Sequence, residues 1–163
     1  MYKFVDCHYD RESLIELFSV SNKARIKSLY QVTDDLIGKD CIDSVFAQFP
    51  NIAHNRYNVE LGRLSTYVKP YISPGNNGLV IIPLEGSLTM NFYSYPGTRE
   101  TLHPSRKMSV SELNDIKSIL LESVIVDRPF IFNGLVPHDY QPTGAPVLTL
   151  ILKIPLNINW ESI

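Results

Sequence analysis

From about Tyr57 onward the apolar residues of this chain recur with a period close to two, and proline or glycine interrupts them at short intervals. A backbone whose side chains alternate between two faces is a strand, and short strands separated by turn residues build antiparallel sheets. Leu61 to Tyr71 reads as one strand. Gly78-Leu79-Val80-Ile81-Ile82-Pro83-Leu84 is an apolar run of the kind a central, buried strand requires. Pro83 is expected to end it, because proline has no N–H for the ladder. After a turn at Glu85-Gly86, Ser87 to Tyr95 sets Leu88, Met90 and Phe92 against Thr89, Asn91 and Tyr93, and a hairpin is expected to join it to the strand before. Ser118 to Val126, Pro129 to Asn133 and the β-branched Pro146 to Pro155 are the last strands. Asn133 to Tyr140 and Gln141 to Ala145 read as a loop and a turn between them.

The first third follows a different period. Leu14, Ile15, Leu17 and Phe18 form a helical stripe, with Asp10 as N-cap and Ser13 in the first turn. Ile42, Val45, Phe46 and Phe49 share one face of a second helix over Asp40 to Phe49, stopped by Pro50. Both helices are expected to pack on a sheet. The polar stretch between Pro96 and Leu121, with a short capped helix over Ser109 to Ile116, reads as an excursion across the mouth of the β structure. The 163 residues are expected to form a single domain, with 1–56 as a mostly helical flank and 57–163 as a β barrel.

Composition narrows the function classes. A formal charge of −2 gives no basic footprint, so nucleic acid is not an expected partner. No window approaches the roughly eighteen apolar residues a membrane helix needs, and the charged N-terminus has no apolar core of a signal peptide. A cytoplasmic protein is expected. Cys7 and Cys41 have no C-x-x-C spacing and read, in a reducing compartment, as small buried hydrophobes. No nucleophile elbow, phosphate loop or dinucleotide fingerprint is present.

The order of apolar strand, proline, turn, aromatic strand, polar insertion, then Pro129-Phe130-Ile131-Phe132-Asn133-Gly134-Leu135-Val136-Pro137-His138 and a final apolar strand resembles the iron(II)/2-oxoglutarate-dependent oxygenases. It is most similar to the small oxygenases of phage and marine bacterial genomes, in the style of aspartyl/asparaginyl and prolyl hydroxylases. The resemblance runs from about Ser65 to Pro155. It implies a mainly β protein with flanking helices, a double-stranded β-helix or cupin-like jelly roll. It also implies His138 as the distal iron ligand, with Fe(II) and 2-oxoglutarate as cofactors.

Three positions depart from that family. A facial triad needs two histidines and a carboxylate. The stretch where the family places His-x-Asp or His-x-Glu reads Lys69-Pro70-Tyr71-Ile72-Ser73-Pro74-Gly75-Asn76-Asn77-Gly78, with no histidine and no carboxylate. The basic residue that holds the far carboxylate of 2-oxoglutarate would fall near Val147 to Leu150, where the chain is apolar. Lys153 could replace it only if alternation put its side chain inside the barrel, which is not expected.

Two function classes follow. One is a divergent oxygenase, in which His138 binds iron and further ligands come from elsewhere, such as His54, His103, Glu60 or Glu85. The other is a jelly roll that binds neither iron nor co-substrate and serves as a binding or interaction module. Tyr67, Asn91 and Tyr93 are the candidate cofactor-binding residues, within a larger set of Tyr71, Tyr95, Tyr140, Arg56, Arg63 and Arg99 able to line a pocket for a polar or anionic molecule. Tyrosine is equally a packing residue of strands, and His138 equally a loop histidine bonded to its own turn. The partner is read as a small molecule or peptide at the barrel mouth, or another protein, with homo-oligomers left open.

Overall fold

A computed structural model of the chain describes residues 2–20, 25–27, 37–47, 58–73, 78–94, 119–154 and 160. Its strands are β1 (Tyr2–Phe4), β2 (Arg25–Lys27), β3 (Asn58–Leu64), β4 (Val68–Tyr71), β5 (Gly78–Glu85), β6 (Leu88–Tyr93), β7 (Leu120–Val126), β8 (Phe130–Asn133), β9 (His138–Pro142) and β10 (Val147–Ile154). Its helices are α1 (Arg11–Val20) and α2 (Lys39–Phe46). The expected excursion over Ser109 to Ile116 lies outside the described residues.

The strands form two sheets, β1-β8-β5-β10-β3-β2 and β4-β9-β6-β7, antiparallel at every pairing. The pairing follows one rule. β3 pairs with β10, β4 with β9, β5 with β8, and β6 with β7. Two antiparallel arms, β3 to β6 and β7 to β10, therefore run side by side and wind between the sheets together, and β5–β10 and β6–β9 pairs zip adjacent turns. That is a double-stranded β-helix, and its winding leaves few free edges.

The winding corrects four local expectations. Leu61 to Tyr71 is not one strand: β3 ends at Leu64, and β4 begins at Val68 in the other sheet. The turn at Glu85-Gly86 does not close a hairpin, because β5 and β6 also belong to different sheets. Pro83 does not end β5, which runs on to Glu85; the register against β10 shifts between Leu148 and Thr149, beside the proline's partner. A bulge of this kind absorbs the missing N–H. Finally, His138 to Pro142 is a strand, not part of a loop and turn.

Each face of the larger sheet has its own core. Its outer face, with Val59, Leu61, Val80, Ile82, Leu84, Leu148, Leu150 and Leu152, is covered by Leu14 of α1 and by Cys41, Val45 and Phe46 of α2. Asp10 caps α1 as expected, its carboxylate accepting from the Ser13 N–H (3.0 Å) and hydroxyl (2.7 Å). Arg11 then ties the helix to the end of β5 through the Leu84 carbonyl at 2.6 Å. The inner face meets the smaller sheet through Leu79, Ile81, Phe130, Phe132 and Val147 on one side and Leu88, Met90, Phe92 and Val126 on the other. The unbroken burial of Gly78 to Leu84 is explained by these two cores, since both faces of β5 are covered. Among the described residues, no helix is long and apolar enough to cross a membrane.

Candidate ligand-binding site

Between the two sheets lies a cavity of about 490 Å³. Alternation along β3 turns Glu60, Gly62 and Leu64 toward it, and along β10 it turns Thr149, Ile151 and Lys153 the same way. The smaller sheet contributes Tyr71, Leu88 and Tyr140, and Leu79, Ile81 and Phe132 complete the apolar wall. Lys153 therefore lines the interior, against the expectation. The register of β10 decides it: Leu148, Leu150 and Leu152 face the helices, so the odd-numbered positions face the barrel.

Lys153 Nζ lies 2.7 Å from Glu60 Oε1, both side chains being roughly a quarter exposed. The carboxylate neutralises the ammonium, so the wall offers a hydrogen-bonding pair more than a bare positive charge. Tyr71 donates its hydroxyl hydrogen bond to that of Tyr140 at 3.3 Å. Burial, then the neighbouring Tyr140, push the Tyr71 phenol above its ordinary range, so it stays a neutral donor. The cavity combines a greasy body with a few convergent polar groups, the make-up of a small-molecule pocket.

His138 is fully buried on β9, facing inward between Tyr71 (ring centroids 4.5 Å), Phe132 (4.8 Å) and Phe92 (6.5 Å). Its Nδ1 lies 2.7 Å from the Val136 carbonyl oxygen, which can only accept, so Nδ1 carries the proton. Nε2 then presents a bare lone pair, and it is buried with no hydrogen-bond partner among the described residues. Burial holds the imidazole down to about pKa 4, outweighing the opposing pull of the Val136 carbonyl and of Asp139. This is the tautomer a metal ligand needs. The rest of a facial triad does not accompany it: among the described residues no three His, Cys, Asp or Glu side chains gather where they could hold a metal ion. The described surroundings of Nε2 do not fit the iron centre that the resemblance implies, and His54 and His103 lie outside the described residues.

Tyr67, Asn91 and Tyr93 do come together, but around Asp139. The Asp139 carboxylate, 1% exposed, accepts from Tyr67 (2.7 Å) and Tyr93 (2.6 Å) at Oδ2 and from Asn91 Nδ2 (2.7 Å) at Oδ1. Burial, then this hydrogen bond, raise the Tyr93 phenol above its ordinary range. Successive residues of a strand point to opposite faces. The cluster therefore sits on the outer face of the smaller sheet, while His138 and the cavity lie on the inner one. Tyr95, Arg56 and Arg99 lie outside the described residues. Arg63 also lines the cavity, while its guanidinium reaches 3.0 Å from Glu85 and over the Phe18 ring.

Asp139 as the hub, and Gly62 and Thr149 as lining residues, were not singled out from the sequence. Their signal was present: Thr89, Asn91 and Tyr93 make one polar row on β6, and such a row demands a polar partner on the adjacent strand.

No protein-family model matches this chain, and no curated protein matches it. Solved structures do. The crystal structure of HygX from Streptomyces hygroscopicus with iron bound is similar over 94% of this chain and 82% of that one, with a TM-score of 0.54 at 11% identity. Apo HygX gives 0.55 at 12% identity, over 94% and 81%. A cupin-2 domain containing protein from Shewanella frigidimarina shares 13% identity over 61% of this chain and 72% of its own, at a TM-score of 0.40. At such identities the HygX likeness establishes fold, and the double-stranded β-helix read from the strand pairings stands.

Proposed function

We propose that this chain is a small-molecule-binding jelly roll whose ligand occupies the interior cavity between Tyr71, Tyr140 and the Glu60–Lys153 pair. The observation that carries this reading is the cavity itself: about 490 Å³ falls inside the range of roughly 300–1,000 Å³ typical of ligand pockets. Its apolar wall would hold the body of a ligand, and the tyrosine hydroxyls, Thr149 and the ion pair would orient its polar end.

Gly62 offers a clean test. A Cβ built there meets nothing within 4 Å, so a larger side chain extends into the cavity without striking the backbone. Anilinonaphthalene sulfonate fluorescence should rise on titration into the native protein, and Gly62→Leu should weaken that binding at least tenfold while the unfolding midpoint stays within a few degrees. Equal binding by both proteins would exclude the cavity as the site.

A second reading is supported by the lone pair of His138 Nε2: a divergent metal-dependent oxygenase whose remaining ligands come from outside the described residues. The structure of HygX, which shares this fold, was solved with iron bound. Elemental analysis of protein purified without chelator separates the two readings. One equivalent of transition metal that disappears in His138→Ala supports the oxygenase; a metal content below a tenth of an equivalent in both proteins supports the binding module.

A further inference from the structure

The two cysteines, far apart along the flank in sequence, come close together in the structure. Cys41, on the buried face of α2, is fully buried, and Cys7, half-buried in the segment after β1, packs against the same cluster. Contacts on either side of Cys7 place the segment there. The Val5 N–H donates to the Pro129 carbonyl at 2.9 Å. Ser44 Oγ lies 3.1 Å from the Asp6 carbonyl and 2.7 Å from that of Cys41, bridging the two cysteine neighbourhoods. Gly38, just before α2, lies beside the His8 carbonyl, where a Cβ would make an ordinary contact at 3.9 Å. Asp6 and His8, on either side of Cys7, thus lie against α2 and the residue before it, which brings the Cys7 and Cys41 side chains close enough to interact.

We propose that Cys7 and Cys41 form a peroxide-reactive pair that closes reversibly to an intramolecular disulfide, with Cys7 meeting the oxidant and Cys41 resolving it. The division of labour follows from burial. Cys7 is the less buried of the two, and the neighbouring Cys41 thiol lowers its pKa, favouring the thiolate. Cys41, buried and donating, is held in its thiol form well above the ordinary range.

The chemistry balances with hydrogen peroxide as oxidant. The Cys7 thiolate attacks one peroxide oxygen; the S–O bond forms, the O–O bond breaks, and hydroxide leaves and takes up the proton that Cys7 released. Cys41 then attacks the sulfenic sulfur. The S–S bond forms, the S–O bond breaks, and the departing hydroxide takes the Cys41 proton. Two thiols and one peroxide become one disulfide and two waters, with two electrons passing from sulfur to oxygen. Closure makes an S–S bond of roughly 2.05 Å, and the contacts on either side of Cys7 already hold its segment against α2. A small dithiol reverses it by exchange.

The test uses the full chain, reduced and freed of reductant, exposed to hydrogen peroxide and read by intact mass and by peptide mapping without reduction. The expected product has lost the mass of two hydrogens, joins the Cys7 and Cys41 peptides, and returns to the starting mass with dithiothreitol. Oxygen adducts or disulfide-linked dimers without that internal cross-link would overturn the pairing, as would two free thiols surviving a dose that fully oxidises glutathione. Dimedone labelling assigns the order. Cys41→Ser should accumulate labelled Cys7, and Cys7→Ser should leave Cys41 unlabelled; equal labelling of Cys41 in the second variant would overturn the assigned roles. The wild-type cross-link decides the pairing whether or not either variant folds.

Discussion

Two adjacent residues, His138 and Asp139, show how strand geometry divides chemistry. Extended backbone sends the imidazole into the barrel and the carboxylate outward, so they act as separate units. The unfolded chain takes up a proton on this histidine near pH 6.5, whereas the folded chain refuses it until about pH 4. Stability is therefore complete above pH 6.5 and falls as the pH drops toward 4, by on the order of 3 kcal/mol. Urea unfolding of wild type and His138→Phe across that window should show this slope in the first protein and a flatter line in the second. Parallel profiles would mean that His138 is not the group responsible. On the other face, Asp139→Ala strands the buried Tyr93 hydroxyl and Asn91 without their acceptor. A loss of about 2–4 kcal/mol is expected, with Tyr93→Phe costing about 1–2. The midpoint of a denaturant titration at constant slope measures both. Polar residues at alternate positions of β6 were legible in the sequence; the carboxylate that collects them was not, because pairing with β9 is a long-range event.

Among the elements, the helices, the apolar alternation of β6 and the apolar run of β10 could be read locally, since side-chain period and β-branched composition belong to the chain itself. Sheet membership could not. Residues 64–68 and 85–88 each look like a continuing strand or a tight hairpin, yet each carries the chain across the sandwich. Gly86 makes the second crossing possible with φ of 75°, and a Cβ there would stand 3.2 Å from Val147 Cγ2. Gly86→Ala should cost about 1–2 kcal/mol from left-handed strain plus that contact. A change under 0.3 kcal/mol in chemical denaturation would mean that the crossing relaxes freely.

For the molecule as a whole, the winding of two antiparallel arms creates the interior on which the proposed binding reading rests. A ligand there is linked to folding: at a concentration one hundred times its Kd it would add about 2.7 kcal/mol of stability, which ties every thermal measurement to the occupancy of the cavity. Local pattern in the chain was enough for the secondary structure of most described segments, the apolar stripes of the helices and of β6, the cap on α1 and the β-rich class. These follow from side-chain period, proline and glycine geometry and local hydrogen bonding, all within about ten residues. Tertiary packing was needed to turn Lys153 inward beside Glu60, to gather Tyr67, Asn91 and Tyr93 on Asp139, to leave His138 Nε2 among aromatic rings with no partner among the described residues, and to bring Cys7 near Cys41. Each of those facts depends on register between distant strands or on how the helical flank lies across a sheet. A shift of one residue would reverse the facing of every side chain on a strand, and burial of both sheet faces, not local preference, is what selects the register.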